Sequence, residues 1–344
     1  MKNAFKYLLC ALSAIQYTIA VPVFAQEDPV IAESGDTFVR KLRRDEPRPK
    51  FFDFTYGILK DVKVESRSGE FGNSMTTINA NERFSMDVRF PVSLKPGRSI
   101  IGAFGYKQEN FNFVNTSEKK DYITTLDQRN LDNVGIKLYY KKELKNDRFL
   151  YAFWNANLNS DDVTFTDFFD QFRTNIAIVR IRNTNELTQL GYGLGFGYVF
   201  GGASIFPIFV YNQTYSEKWN LEMMLPKSLK LRYTFRPEMY LYLISEIDGA
   251  SYFLSQQTIQ GYDKLSFQRS AVSITLKLER ELYDWLWFGI EGGYNIPINL
   301  FISEPGEKRS NSIVTFYASG STIFKFSVFM VVPKKTLYKN AKQG

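Results

Sequence analysis

Residues 187–200, LTQLGYGLGFGYVF, place Leu190, Tyr192, Leu194, Phe196, Tyr198 and Phe200 on one parity and Gln189, Gly191, Gly193, Gly195 and Gly197 on the other. Successive side chains of an extended strand point to opposite faces. The stretch therefore predicts a strand with one aromatic, apolar face and one face of glycine and amide. Such a strand suits a wall between hydrocarbon and something wetter.

The pattern recurs on both sides of it. In FFDFTYGILKDVKV, residues 51–64, Phe52, Phe54, Tyr56, Ile58, Val62 and Val64 oppose Asp53, Thr55, Gly57, Asp61 and Lys63. Phe84, Met86, Val88 and Phe90 oppose Ser85, Asp87 and Arg89, while Val134, Ile136, Leu138 and Tyr140 oppose Asn133, Gly135, Lys137 and Lys141. Late in the chain Val272, Ile274, Leu276 and Leu278 oppose Ser273, Thr275, Lys277 and Glu279. Connections alternate in length. Short ones fall near Lys95-Pro96-Gly97, Lys145-Asn146-Asp147, Asn183-Thr184-Asn185, Ser216-Glu217-Lys218 and Arg236-Pro237-Glu238, and longer polar ones near 66–80, 114–129, 159–171, 249–265 and 303–310. Outer-membrane barrels put tight turns in the periplasm and long loops outside.

The N-terminus reads as an export signal over residues 1–25. Lys2 and Lys6 precede a mostly apolar stretch from Tyr7 to Ala20, and Val23-Phe24-Ala25 supplies small residues for cleavage before Gln26. Cys10 is the only cysteine and lies inside that signal, so residues 26–344 carry no disulfide framework and no thiolate metal site. Beyond the signal no apolar run reaches the length of about 18 residues that a helical membrane span needs. A closed barrel is then the remaining spanning solution, because every backbone polar group must find a partner away from water. Aromatics make up 16% of the chain, with 31 Phe and 21 Tyr, which suits the girdles such barrels carry at both interfaces.

The sequence thus predicts an all-β fold, an up-and-down antiparallel transmembrane β-barrel of 12–14 strands, in one domain over residues 50–332. A charged, proline-containing periplasmic leader occupies 26–49 and a basic tail 333–344. The strand count turns on residues 219–235, where Trp219, Leu221, Met223, Leu225, Leu229, Leu231, Tyr233 and Phe235 keep one parity straight through Pro226. Tight outer turns at Gly201-Gly202 and at Pro226 give fourteen strands; one long strand there gives twelve.

Function is narrowed by elimination. The chain has no histidine, so the barrel lipases, acyl transferases and proteases, which rest on a histidine base or orienting group, are unavailable. Asp161, Asp162, Asp167 and Asp170 share a polar loop and read as a solvated acidic patch, without calcium-loop spacing. The G-x-G-x-G run at 191–195 lacks the spacing and the strand-to-helix turn of a dinucleotide site. Its glycines read as room for large neighbours across the lumen. Formal charge is +7, and +5 without the two lysines of the signal, with both signs interspersed, so nucleic acid is not an expected partner. No enzyme activity, cofactor or metal is expected.

Parity assigns a set of candidate lumen-facing charges: Asp53, Asp61, Asp87, Arg89, Lys137, Lys230, Arg232 and Glu291. Charges of both signs inside a barrel suit either a filled, hydrogen-bonded interior or a lined aqueous pore, and a size between small filled barrels and open porins leaves both open. The expected partners are outer-membrane lipid and a small solute, with the oligomeric state open. Passage or capture of that solute is the most concrete expectation. A structural or adhesive barrel, or a secreted lipid-binding barrel, is the alternative.

Residues 191–202, GYGLGFGYVFGG, and 206–226, FPIFVYNQTYSEKWNLEMMLP, resemble an uncharacterised family of outer-membrane β-barrel proteins of Bacteroidota type. Its members show a glycine–aromatic strand, a proline-containing strand and a Trp-x-Leu-x-x-x-Leu-Pro segment, here Trp219, Leu221, Leu225 and Pro226. The resemblance implies a barrel and implies no activity, ligand or functional residue. One departure is the end of the chain. The last alternating strand, with Phe324, Phe326, Val328, Met330 and Val332 on one face, is followed by PKKTLYKNAKQG rather than closing on an aromatic residue.

Overall fold

A computed structural model describes residues 47–114, 120–164, 167–255 and 259–334. The expected signal, the leader up to residue 46 including the basic run at 40–44, and the tail beyond Lys334 lie outside the described residues.

Fourteen strands form one sheet closed on itself. They are β1 (Lys50–Arg67), β2 (Ser74–Lys95), β3 (Arg98–Phe113), β4 (Asn130–Leu144), β5 (Arg148–Ser160), β6 (Phe172–Asn185), β7 (Thr188–Gly197), β8 (Ser204–Thr214), β9 (Trp219–Leu225), β10 (Ser228–Arg236), β11 (Met239–Leu254), β12 (Leu265–Tyr283), β13 (Leu286–Ser303) and β14, in two segments, Val314–Ala318 and Ser321–Val331. Every strand pairs antiparallel with its neighbours in sequence, and β14 closes the ring onto β1, for example Phe54↔Val328 and Tyr56↔Phe326. Pro226 is therefore a turn between two strands, and the peptide before it is cis. Among the described residues no helix is long and apolar enough to cross a membrane, and the crossing elements are strands.

The outward faces form an apolar belt. Tyr192 is 67% exposed, Leu194 64%, Phe324 59% and Leu276 55%, with Phe104, Ile136, Ile178, Phe209, Leu243 and Ile290 exposed between them around the ring. Aliphatic and aromatic side chains in that number on the outside of a closed barrel cover a hydrocarbon-facing wall. The glycines of β7 face inward. A Cβ on Gly195 would come 2.5 Å from the Phe206 ring, and one on Gly191 2.9 Å from Ile181, so the missing side chains are replaced by neighbours that fill the lumen.

One parity reading is corrected. In β1 the outward residues run Phe52, Phe54, Tyr56 and Ile58, but Val62 and Val64 point inward and are buried, and Asp61 is exposed rather than lumenal. The cause is a local break in the alternation of β1. Asp61 has φ +55°, and it is skipped together with Asn79 as the ladder to β2 goes from Lys60↔Ala80 to Val62↔Ile78 in unchanged register. The left-handed residue interrupts the pleat, so Lys60 and Asp61 are both exposed and the residues beyond face the other way, and aspartate tolerates the left-handed backbone better than most. The outer connections are also shorter than expected, because strands extend into them: β1 runs to Arg67 and β2 starts at Ser74, and β11 runs to Leu254.

Wall height is uneven. β1, β2, β12 and β13 have 18, 22, 19 and 18 residues, whereas β7, β8, β9 and β10 have 10, 11, 7 and 9. Past the short strands the ring narrows. The end of β11 meets the end of β5 in a parallel bridge, Phe253 opposite Ser160, backed by Asp161 N donating to Phe253 O (3.2 Å) and Asn159 Nδ2 to Ser251 O (3.0 Å). The outer part of the barrel is thus closed by β1–β5 and β11–β14 alone.

Candidate functional site

The lumen is built in three levels, each from inward residues two apart along the strands. The outer level is an apolar cap. The connection after β3 turns into the mouth as the short helix α1 (Asp121–Thr124), which buries Tyr122 and Ile123 and is followed by buried Leu126. They pack with Val62, Val64, Phe111, Phe267, Ile302 and Phe316 in one cluster. Phe111 meets Phe267 edge-on with centroids 5.5 Å apart, and Tyr122 meets Phe316 at 6.0 Å. Polar bonds pin the cap: the Tyr122 and Ser66 hydroxyls share one (3.0 Å), and Phe113 N donates to Asp127 Oδ1 (2.8 Å). The left-handed backbone at Asp61 supplies two residues of this cap, because it turns Val62 and Val64 inward.

Beneath the cap an ion-pair network spans the lumen. Arg83 Nε on β2 donates to Glu109 Oε1 on β3 (2.9 Å). The other Glu109 oxygen takes the Arg269 guanidinium of β12 from across the barrel, and Arg269 Nη1 also reaches Asp248 Oδ2 of β11 (2.8 Å). Glu109 is almost fully buried, and an arginine meets each of its carboxylate oxygens.

Below the network lies a cavity of about 540 Å³. Its two sides differ. On β1, β2, β4 and β12–β14 it is charged: Asp87 pairs with Lys137, Lys50 Nζ bridges Asp53 (3.2 Å) and Glu279 (2.9 Å), Lys277 Nζ reaches Glu279 (2.9 Å), and Lys325 Nζ reaches Glu291 (2.7 Å). Gly105 leaves the space for the Asp87–Lys137 pair, since a Cβ there would lie 3.1 Å from each side chain. On β5–β9 amides and apolar groups predominate, with Asn155, Asn157 and Asn159 at alternate positions of β5, then Phe153, Val179, Phe206, Ile208 and Met224, beside the two charges Arg173 and Glu222. Asn133 Nδ2 donates to Asn159 Oδ1 (2.7 Å), joining β4 to β5. Twelve cationic residues and eight carboxylates line the cavity, so its lining carries an excess of positive charge. The inner level is aromatic. Tyr240 stacks on Trp287 (5.4 Å) and Trp287 on Phe329 (6.0 Å), with Lys50 Nζ 3.6 Å above the Phe329 ring. Arg48, at the end of the leader, fastens this rim by bonds to Asp284, Glu281 and the carbonyl of Val332, each 2.9 Å.

Of the eight residues assigned to the lumen by parity, the structure places Asp53, Asp87, Arg89, Lys137, Lys230 and Glu291 on the cavity, and Arg232 buried with its guanidinium 5.6 Å from the Tyr240 ring centroid. Asp61 is outside it, for the reason given above. The residues that bridge the lumen, Arg83, Glu109, Asp248 and Arg269, were not singled out by sequence. Arg83 continues the Ser85–Asp87–Arg89 parity by one step, and the N-x-N-x-N run at 155–159 is itself an alternating signal.

A family model described as "Domain of unknown function (DUF6268)" matches residues 57–332. No curated protein matches the chain. Among solved structures it is similar to the COG4313 outer membrane channel from Pseudomonas putida F1, at 9% identity, covering 84% of this chain and 98% of that one with a TM-score of 0.41. It is also similar to the P. putida toluene transporter TodX, at 7% identity over 82% and 90% with a TM-score of 0.33. A third is the translocator domain of the autotransporter NalP from Neisseria meningitidis, at 9% identity over 84% and 90% with a TM-score of 0.32.

Proposed function

Since the chain belongs to the DUF6268 family, a domain of unknown function matched over residues 57–332, we propose its role from its own geometry: a non-enzymatic outer-membrane barrel that captures a small solute in its lumen and passes it across the membrane. The observation that carries this reading is the 540 Å³ cavity with most of its charge on one side and mainly apolar and amide groups on the other, closed outward by the cap. Cavities of roughly 300–1,000 Å³ suit small molecules. A purely structural barrel has no need of one, and its lumen could be filled throughout as the mouth is. The secreted lipid-binding alternative is disfavoured by the polarity, since a soluble barrel would not present an apolar belt to water and charges to its interior.

Planar-bilayer recording tests the reading. The native chain is expected to pass little current, because Tyr122, Ile123, Phe267 and Phe316 fill the mouth. Replacing Tyr122 and Ile123 together by Ala should loosen the cap and produce discrete conductance steps. A double variant that inserts and migrates as a folded barrel yet stays silent would favour the structural or adhesive reading.

A further inference from the structure

Strand β8 outlasts its neighbour. Its ladder to β9 stops at Phe209↔Leu225, so Ser204–Ile208 pair with β7 on one side and with no strand on the other. On the far side of the gap, the ladder of β11 to β10 stops at Glu246↔Ser228, followed by one bond from Ile247 N to Lys227 O (2.9 Å), while β11 remains paired with β12 up to Leu254. Between these two edges the wall lacks two strands, about 10 Å at the usual spacing. The gap is roofed. The turn after β7 lies so close on β11 that a Cβ at Gly249 would meet Val199 O at 2.2 Å and Tyr198 O at 2.5 Å. The result is a window, with Tyr198–Gly201 above, Leu225–Ser228 as its sill, and the edges of β8 and β11 at its sides.

The window opens at the depth of the acyl chains. β9 has 7 residues, and a tilted strand needs about 9–11 to cross the hydrocarbon. Beside it Ile205 is 76% exposed, and Pro207, Phe209 and Leu225 are exposed as well. An unpaired strand edge is costly there, because no water meets its backbone groups. Pro207 reduces that cost. Thr214 N donates to Leu187 O on the β7 side, so even-numbered residues of β8 aim their amides at β7 and odd-numbered ones at the missing strand. Pro207 is odd-numbered, and it has no N–H to leave unpaired. Behind this edge lies the cavity, which Tyr198, Phe206, Leu225, Lys227, Ile247 and Gly249 all line.

We propose that the window is a lateral portal through which a small amphiphile with one anionic head group passes between the membrane hydrocarbon and the lumenal cavity. The inference rests on the solute-capture reading above and adds a route and a ligand class. Phe206, Ile208 and Met224 stand directly inside the opening and suit an apolar body, while Lys227 on the sill and the cationic excess of the lining, which remains after counting Glu222 opposite Lys230 and Glu246 opposite Ser228, suit an anionic head. The apolar cap blocks the outer mouth, so a ligand dissolved in the lipid enters from the side.

Residues 26–344 contain no cysteine, so a single introduced thiol can be addressed. Full chain carrying Cys10→Ser and Ser228→Cys is inserted into phosphatidylcholine vesicles, its folding is checked, and only then is the sill labelled with a bulky maleimide. Thr55→Cys, in the cavity lining on β1 and away from the strands that frame the window, is treated in the same way. The probe is 11-(dansylamino)undecanoate, read by its emission, with its methyl ester as the uncharged comparison. Unlabelled protein should bind the acid at least tenfold more tightly than the ester. Labelling at residue 228 should slow association at least tenfold, and labelling at residue 55 less than twofold. Slowing at 55 and not at 228, or at neither, overturns the portal and leaves capture standing. Equal binding of acid and ester overturns the anionic head group. Failure of the unlabelled protein to bind the acid overturns the capture reading and the portal with it.

Discussion

Gly193 shows how far a single residue governs this wall. A Cβ there would sit 2.1 Å from the carbonyl oxygen of Ile178 and 2.7 Å from Cα of Val179, both backbone atoms that cannot turn aside. Gly193→Ala should therefore destabilise the barrel by about 1–3 kcal/mol, the usual cost of forcing extra volume into a packed site. Urea unfolding in detergent would show it as a lowered midpoint, and an unchanged midpoint would mean that the glycine face has slack. The inward direction of this face was legible from sequence, because alternation with Leu190, Tyr192, Leu194 and Phe196 has one solution. Asp61 was not. A single left-handed residue reverses the faces beyond it, and the sequence around it, Leu59-Lys60-Asp61-Val62, still alternates well enough to pass for a regular strand.

At the level of strands, β12 offers a clean test of facing. Leu276 is exposed on the belt opposite the inward Lys277 and Thr275. Leu276→Arg should cost roughly 2–4 kcal/mol if it lies near the midplane of the bilayer. Refolding into vesicles at graded urea would register the loss, whereas normal insertion would mean that the residue is not against lipid. The β9–β10 hairpin shows where strand-level reading stops. Its pairs, such as Met224↔Ser228 and Glu222↔Lys230, sum to even numbers, so Leu225 before the turn and Leu229 after it face the same way. A continuous strand would give the same parity. Alternation alone could not tell the two apart, and so the count of twelve or fourteen stayed open until the ladder was seen. By contrast the β7–β8 pairs, such as Gln189↔Asn212, sum to odd numbers, and the parity flips across Gly201-Gly202.

For the whole molecule the decisive contact is Glu109 with Arg83 and Arg269, which ties opposite walls together under the cap. Removing one partner of a buried ion network commonly costs about 3–5 kcal/mol, because the remaining charges lose their compensation. Glu109→Ala should accordingly lower thermal stability and, with two arginines no longer held, admit brief current bursts in bilayers that the native chain lacks. Equal stability and silence would show that the apolar cap seals the barrel unaided. The link that crosses the lumen, Glu109 to Arg269, lay beyond sequence reading because its partners are 160 residues apart on strands that never pair. Parity can say that a charge points inward, but the chord it makes across a lumen depends on ring size, stagger and how the outer rim narrows.

The unequal strands have a further consequence, for the lipid rather than the protein. A bilayer meeting β1, β2, β12 and β13 touches a wall of 18–22 residues, while at β9 and β10 it touches one of 7–9. Hydrophobic mismatch is relieved by thinning or by tilt, at fractions of a kcal/mol per Å. Here the mismatch is confined to one flank. The leaflet should pucker beside that flank alone, gathering shorter or more disordered chains there and giving the barrel a preferred lean and a preferred side for meeting its neighbours.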